Sequence, residues 1–374
     1  MKFVFFTHSL VSDWNHGNAH FQRGVMRELV SRGHTAVAAE KVDGWSRTNL
    51  IAEAGPAALS AFRVAFPELV SATYEGLEGV EALVEDADVV VVHEWTEAEV
   101  VAHLGRLRAR GAPWTLLLHD THHRAVSAPH ELDGFELDGY DGVLAFGAVL
   151  AETYRRRGWA DAVHVWHEAA DARLFRPRPE IERGADLVWI GNWGDGERTA
   201  ELATFLLEPA RALGLSGTVH GVRYPREARA AVAAAGLGFG GWVPNARVPE
   251  VFARHRVTVH VPRRHYVETL PGIPTIRVFE ALACGIPLVS APWDDAEGLF
   301  RPGEDFLAAP DGAAMQGAIA GLLADPERAA FVAASGRERV LARHTCAHRV
   351  DELLAILGRL AVRPVAATVG APAA

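Results

Sequence analysis

The chain alternates buried-looking apolar runs with segments of helical spacing. Residues 2–8 (KFVFFTH), 35–39, 88–93 (DVVVVH), 114–119 (WTLLLH), 142–146 and 163–167 (VHVWH) read as strands. Their near-continuous apolar character suits a parallel sheet covered on both faces rather than a half-exposed one. Between the first two runs, Phe21, Val25 and Leu29 recur at helical spacing and Gly33 ends the pattern, and residues 148–157 also look helical. A stretch rich in charge and proline, 171–184 (DARLFRPRPEIERG), interrupts the alternation. The pattern then restarts with strands at 186–191 (DLVWIG), 217–221, 256–262 (RVTVHVP) and 286–290 (IPLVS). Helices are expected at 197–213, 225–235, 247–254, 275–284, 312–324, 326–343 and 346–360. Two α/β units in tandem follow from this, with a first domain over 1–170, a second over 171–345, and a closing helix over 346–360. The small, proline-containing tail 361–374 is expected to be disordered.

Composition narrows the function. The 374 residues suffice for two cores, and 49% hydrophobic with 22% charged residues is ordinary for a globular protein. A net charge of −10 argues against a nucleic-acid partner, which needs a basic face. Cys284 and Cys346, the two cysteines, can build neither a disulfide framework nor a cysteine metal site, which suits a reducing cytoplasmic setting. The apolar run at the N-terminus lacks the features of a signal peptide, and no stretch approaches the roughly 20 apolar residues of a membrane span. Nucleophile-elbow, Walker and G-x-G-x-x-G signatures are missing, and the last absence counts against a nicotinamide dehydrogenase.

Open parallel sheets bind ligands beyond the carboxyl ends of their strands. Polar clusters fall at such ends: Thr7–His8–Ser9, His93–Glu94, His119–Asp120 and Gly191–Asn192. Gly17 and Asn18 form a turn into the first long helix, and glycine there allows a ligand close to the backbone. The segment 270–290, LPGIPTIRVFEALACGIPLVS, carries the strongest signal. Thr275 can cap a helix whose first-turn amides, with Ile276 and Arg277, would meet a phosphate. Glu280 lies about 1.4 turns into that helix, where a carboxylate suits a ribose diol. A solvated face explains Glu280 equally, and a surface ion pair explains Arg277.

These residues resemble a known family. FEALACGIPLV is similar to the donor-site helix and following strand of retaining glycosyltransferases of the GT-B fold. GIPTIRVFEALACGIPLV followed by FRPGEDFL resembles the CgeB-like (spore-maturation type) branch. VHVWHEAADARLFRP, DLVWIGNW and GWVPNARVPEVFARHRVTVHVPR resemble further segments in the same order, so the likeness spans roughly 1–345. It implies an α/β GT-B fold, two Rossmann-like domains with parallel sheets facing a central cleft. It implies a transfer, with retention, from a nucleotide-sugar donor to a small-molecule or glycan acceptor. The donor would be a UDP-sugar, with GDP- or ADP-sugars as alternatives. No metal or other cofactor is required.

On the donor side the resemblance implies Gly191, Asn192, Arg198, Trp242, Val243, Gly272, Thr275, Ile276, Arg277 and Glu280, with Trp242–Val243 at the nucleobase. Gly272 stands where the family carries the first of two glutamates. His119 and Asp120 are the implied catalytic pair, and His16, Gly17 and Asn18 lie on the acceptor or sugar side. The His119–His123 cluster also offers metal-ligand types, without a second cluster at ligand spacing. An epimerase, a phosphorylase or a catalytically silent binding subunit on the same scaffold are the alternatives.

Overall fold

The computed structural model describes residues 1–194 and 196–361, and most of the tail expected to be disordered lies outside them. The first half contributes β1 (Lys2–Phe6), β2 (Thr35–Lys41), β3 (Val70–Tyr74), β4 (Val89–His93), β5 (Thr115–Asp120), β6 (Gly142–Ala145) and β7 (Val163–Val165). They form one seven-stranded sheet in the order β3-β2-β1-β4-β5-β6-β7. The second half contributes β8 (Ala185–Ile190), β9 (Gly217–His220), β10 (Gly238–Gly241), β11 (His255–His260), β12 (Leu288–Ser290) and β13 (Leu307–Ala308). These make a six-stranded sheet, β10-β9-β8-β11-β12-β13. All the pairings are parallel.

Each sheet reverses its winding once, between β1 and β4 and between β8 and β11. A crevice opens at such a switch point, outside the carboxyl ends of the strands. Five consecutive buried residues in β4 show why these central strands read as apolar runs: helices cover both faces. The edge strands escaped the sequence pattern for the opposite reason. β3 (VSATY) is mostly half-buried or exposed, β10 (GFGG) is largely glycine, and β13 has two residues.

The expected helix at 197–213 is instead a broken one. Thr199–Leu202 passes into a π-helical stretch, Ala203–Leu207, and then Glu208–Leu213. Pro209 accounts for this: it lacks an N–H, and its ring crowds the carbonyl a turn earlier. Helix Ile276–Cys284 stops where sequence places the stop. Gly285 adopts φ +66°, its amide bonds Leu282 O, and Ile286 N bonds Ala281 O.

The closing helix, Cys346–Ala361, packs on helix Ala19–Ser31 of the first half. Arg32 pairs with Asp351, and the Trp166 indole donates to Arg349 O at 2.8 Å. Ala170 N bonds His344 O and Cys346 N bonds Ala170 O, which stitches this helix to the segment leaving β7. One apolar cluster therefore runs from Phe3, Phe21 and Trp166 to Phe279, Phe300 and Leu353.

Gly24 sits at the closest approach. A Cβ there would lie 2.4 Å from Cys346 Sγ and 2.8 Å from Asp171 Cβ. Gly24→Ala is expected to cost about 1–3 kcal/mol by overpacking. Gly184→Ala, whose added Cβ meets nothing within 4 Å, is the control. Urea unfolding measures both, and equal midpoints would mean that the helices part freely here.

Candidate functional site

A cleft of about 920 Å³ lies between the two sheets. Its walls come from the loops after β1, β2, β4 and β5 on one side and after β8, β9 and β11, with the start of helix Ile276–Cys284, on the other.

The loop after β1 reaches across. Asp13 Oδ1 accepts the Trp242 indole N–H at 3.1 Å, and its Oδ2 accepts Asn245 N at 3.0 Å and Arg23 Nη1 at 2.7 Å. Asn192 Nδ2 donates to Asn15 Oδ1 at 2.9 Å. Gly17 faces Ile276: a Cβ there would stand 3.2 Å from its Cγ2, so a larger residue would push the halves apart. His16, Gly17, Asn18, Gly191, Asn192, Arg198, Trp242, Val243, Thr275, Ile276 and Arg277 all line the cleft.

Positive charge gathers on the second-half wall. Arg198, at the start of the broken helix, is buried beneath the Gly191–Asn192 turn. Its Nη2 donates to Asn192 O at 2.8 Å and Oδ1 at 2.6 Å, its Nη1 to Val261 O at 3.3 Å, and its Nε has no partner. Burial and then the neighbouring Arg263 lower its pKa to about 10, so it stays charged at neutral pH. Arg263 pairs with Glu197 and reaches Asn192 Oδ1. Arg277 stands in the first helical turn, where the leading amides have no carbonyl a turn earlier to accept them. Thr275 occupies the cap position but makes no side-chain cap bond, so its hydroxyl is not spent on the helix.

Four expected site residues are not on the cleft. His119 and Asp120 lie within β5, and a strand inside a covered sheet aims its side chains at the covering layers, not at the sheet's end. His119 packs on Trp166 at 4.8 Å, and Asp120 accepts Tyr154 OH at 2.7 Å and His122 N at 3.0 Å. The turn past the strand carries the residues that do reach the cleft: Thr121, His122, His123 and Arg124.

Gly272 sits in a left-handed turn at φ +89°. Its N–H is taken by Asp294 O, and a Cβ there would meet Glu297. Glu280 is fully buried behind Arg277, with which it pairs, and its Oε1 lies 2.8 Å from His20 Nδ1 of the first half. Burial pushes its pKa up, but Arg277 and His20 outweigh that and hold it below the usual carboxylate range. The solvated-face alternative fails for Glu280 as well, since the first half covers it.

Arg263 and Glu168 are among the residues that carry weight here and went unflagged in the sequence. Arg263 follows a buried strand in a VPRR run, which was the available signal. Glu168 lines the cleft, is 4% exposed, and its Oε1 has no hydrogen-bond partner. Burial and then the charge of Glu280 raise its pKa well above normal, against a smaller pull from Arg277. It stands one residue before the stretch whose acid, phenylalanine and proline fall at Asp171, Phe175 and Pro177, so the pattern did not mark it.

On and around the cleft floor, seven imidazoles are neutral. Burial lowers His8 and His123 to about 4 and His260 to about 3. His119 falls to about 3, and His16, His93 and His122 fall well below 6.5, all for the same first reason. Among the described residues, no group of three or more His, Cys, Asp or Glu is arranged to hold a metal ion, and no helix is long and apolar enough to cross a membrane.

A depressed folded-state pKa stabilises the fold fully above the unfolded value near 6.5 and is lost as pH falls toward the folded value. Seven such imidazoles oppose three buried acids raised the other way, Glu94, Asp120 and Glu168. Unfolding free energy should therefore drop by a few kcal/mol between about pH 7 and 5. Denaturant titrations across that range test this; a flat profile would contradict neutral imidazoles.

Residues 198–355 match the family described as glycosyl transferase-like. No curated protein matches the chain in sequence. Similar solved structures include sucrose-phosphate synthase from Thermosynechococcus elongatus, at 16% identity and TM-score 0.67, covering 96% of this chain and 98% of that one. Anabaena HepE in complex with UDP-glucose is 14% identical with TM-score 0.67, over 96% and 100%. An α-glucosyltransferase in complex with UDP and DNA is 12% identical with TM-score 0.65, over 96% and 99%. The chain thus has the GT-B fold of glycosyltransferases, and its second half, over 198–355, matches the glycosyl transferase-like family.

Proposed function

We propose that the protein transfers a sugar, with retention, from a nucleoside-diphosphate sugar to an acceptor, in the manner of the CgeB-like branch that its 272–307 segment resembles. The observation that carries this is the asymmetric cleft: Arg198, Arg263 and Arg277 gather on one wall beside a helix N-terminus, facing a wall of neutral rings. A leaving diphosphate needs pre-organised positive charge, and fixed dipoles and guanidinium groups supply it without reorganisation. UDP is the first nucleotide to test, since HepE and the α-glucosyltransferase hold UDP species on this fold. In this reading residues 1–170 form the acceptor side and 171–345 the donor side, and helix 346–360 crosses back.

Arg277 meets the diphosphate, with Thr275 and Ile276 supplying first-turn donors. Arg198 holds the Gly191–Asn192 turn and adds charge from below. Trp242 and Val243 border the base. Glu280 keeps Arg277 in place instead of holding the ribose. Glu168, kept protonated by burial, donates a hydrogen bond to the transferred sugar, a task that falls to no residue at 272.

Arg277→Gln should weaken UDP by about ten- to a hundredfold and leave uridine nearly unchanged, because only the diphosphate bears the charge. Calorimetric titration decides this, with Arg110→Gln as an exposed control. Equal losses for UDP and uridine would make Arg277 a structural residue.

Glu168→Gln keeps a donor and should retain much of the turnover. Glu168→Ala should lower kcat by about ten- to a hundredfold at unchanged UDP affinity. Donor hydrolysis or transfer, followed by nucleotide release, is the assay. Full activity in the alanine variant would remove Glu168 from the chemistry.

A further inference from the structure

One wing of the cleft lies away from the arginines. It is formed by the loops after β1, β2 and β4 and the turn after β5. Trp45, opening the helix Trp45–Ala54, is 46% exposed, and Trp95, after β4, is 41% exposed. His8 stands between them, its ring 5.8 Å from Trp45 and 6.0 Å from Trp95. Trp14 backs Trp45 edge-on at 5.0 Å, and Arg124 lies 3.8 Å above one face of Trp95. The two tryptophans are thus held by neighbours but left bare toward the cleft. Large exposed apolar side chains on a concave wall mark a binding surface.

The charges of this wing are matched. Lys41 Nζ lies 3.2 Å from Glu97 and 3.7 Å from Asp43, and Arg124 lies 3.3 Å from Glu131. Tyr74 OH also donates to Glu97. Nothing here is set to meet an anion, in contrast with the opposite wall. The wing offers flat π-faces rimmed by groups able to bond hydroxyls.

We propose that this wing, between Trp45 and Trp95, is the acceptor subsite, and that it takes an uncharged ring with a flat apolar face, a pyranose or an aryl aglycone, and not a phosphorylated or carboxylated acceptor. The assignment rests on the proposed glycosyl transfer, and it names the class of acceptor. Ring faces stack on tryptophan through dispersion and water release, while the rim fixes orientation.

The test uses the full chain saturated with UDP. The probes are methyl glucoside, 4-nitrophenyl glucoside and glucose 6-phosphate, followed by ligand-observed NMR. Both neutral glucosides should bind, and glucose 6-phosphate should bind more weakly. Trp45→Ala and Trp95→Ala should each weaken the neutral probes by roughly tenfold, with Trp95→Phe restoring most of the loss. UDP affinity, read by calorimetry, should be unchanged in all three variants. A nitrophenyl advantage that vanishes in the alanine variants would assign the face to an aryl group; equal losses for both glucosides would assign it to the pyranose. Tighter binding of glucose 6-phosphate, no binding of either neutral probe, or alanine variants that bind as wild type would each overturn the proposal. Failure of UDP to bind wild-type protein would strike the proposed function instead, so the two readings fall separately.

Discussion

The geometry of the cleft depends on Asp13. One carboxylate accepts from the Trp242 indole, the Asn245 amide and Arg23, so a single side chain from the first half organises the 242–245 loop of the second. Arg23 also donates to Leu10 O, which closes the loop after β1 on itself. With that loop fixed, Gly17 can sit against Ile276 and Asn15 against Asn192. Two switch-point crevices, each shallow alone, become opposite walls of one cavity. A charge-assisted network of this kind is worth more than its separate bonds, because losing the carboxylate leaves three donors unsatisfied.

Electrostatics then divides the cavity. In a chain of net charge −10, a cationic patch has to be built locally. Burying Arg198 costs desolvation, and three hydrogen bonds to oxygen atoms offset part of it without neutralising the guanidinium. Arg277 and Arg263 each keep one acidic neighbour, Glu280 and Glu197, which set their direction. On the other wall burial removes the charge from the imidazoles, and Lys41 and Arg124 are paired off. A cleft with charge at one end can orient a ligand that is charged at one end.

The alternation of buried runs made the central strands and the helices from 276 onward legible, since interior burial leaves a continuous apolar signature. Edge strands did not show, because β3 and β10 lack that burial. Polar residues at strand ends marked the correct edge of the sheet: Thr7, His8, Gly191 and Asn192 line the cleft, whereas His93, Glu94, His119 and Asp120 do not. Whether His119 or His122 faces the cleft depends on where the last ladder bond falls, a shift of three residues that composition does not encode. Glu280 was legible as a special residue, but its occupants come from Arg277 nearby and from His20, 260 positions away in the chain. Trp45 and Trp95 gave no signal, as nothing in their local sequence tells an exposed tryptophan from a packed one.

Glu168 on the cleft and Glu280 behind it show how two neighbouring buried carboxyl groups can be held in two states. Both are buried, yet only Glu280 has the Arg277 guanidinium and the His20 ring beside its oxygens. Arg277 and His20 therefore stabilise its anion, and that anion in turn discourages ionisation of Glu168. Like charges near one another in a poorly solvated site cannot both ionise cheaply, so their pKa values separate. Removing the Arg277 charge would relax this separation from the Glu280 side, since burial alone favours the neutral acid at both positions. Arg277 and the protonation of Glu168, both on the cleft, are therefore coupled through Glu280, a residue that does not line it.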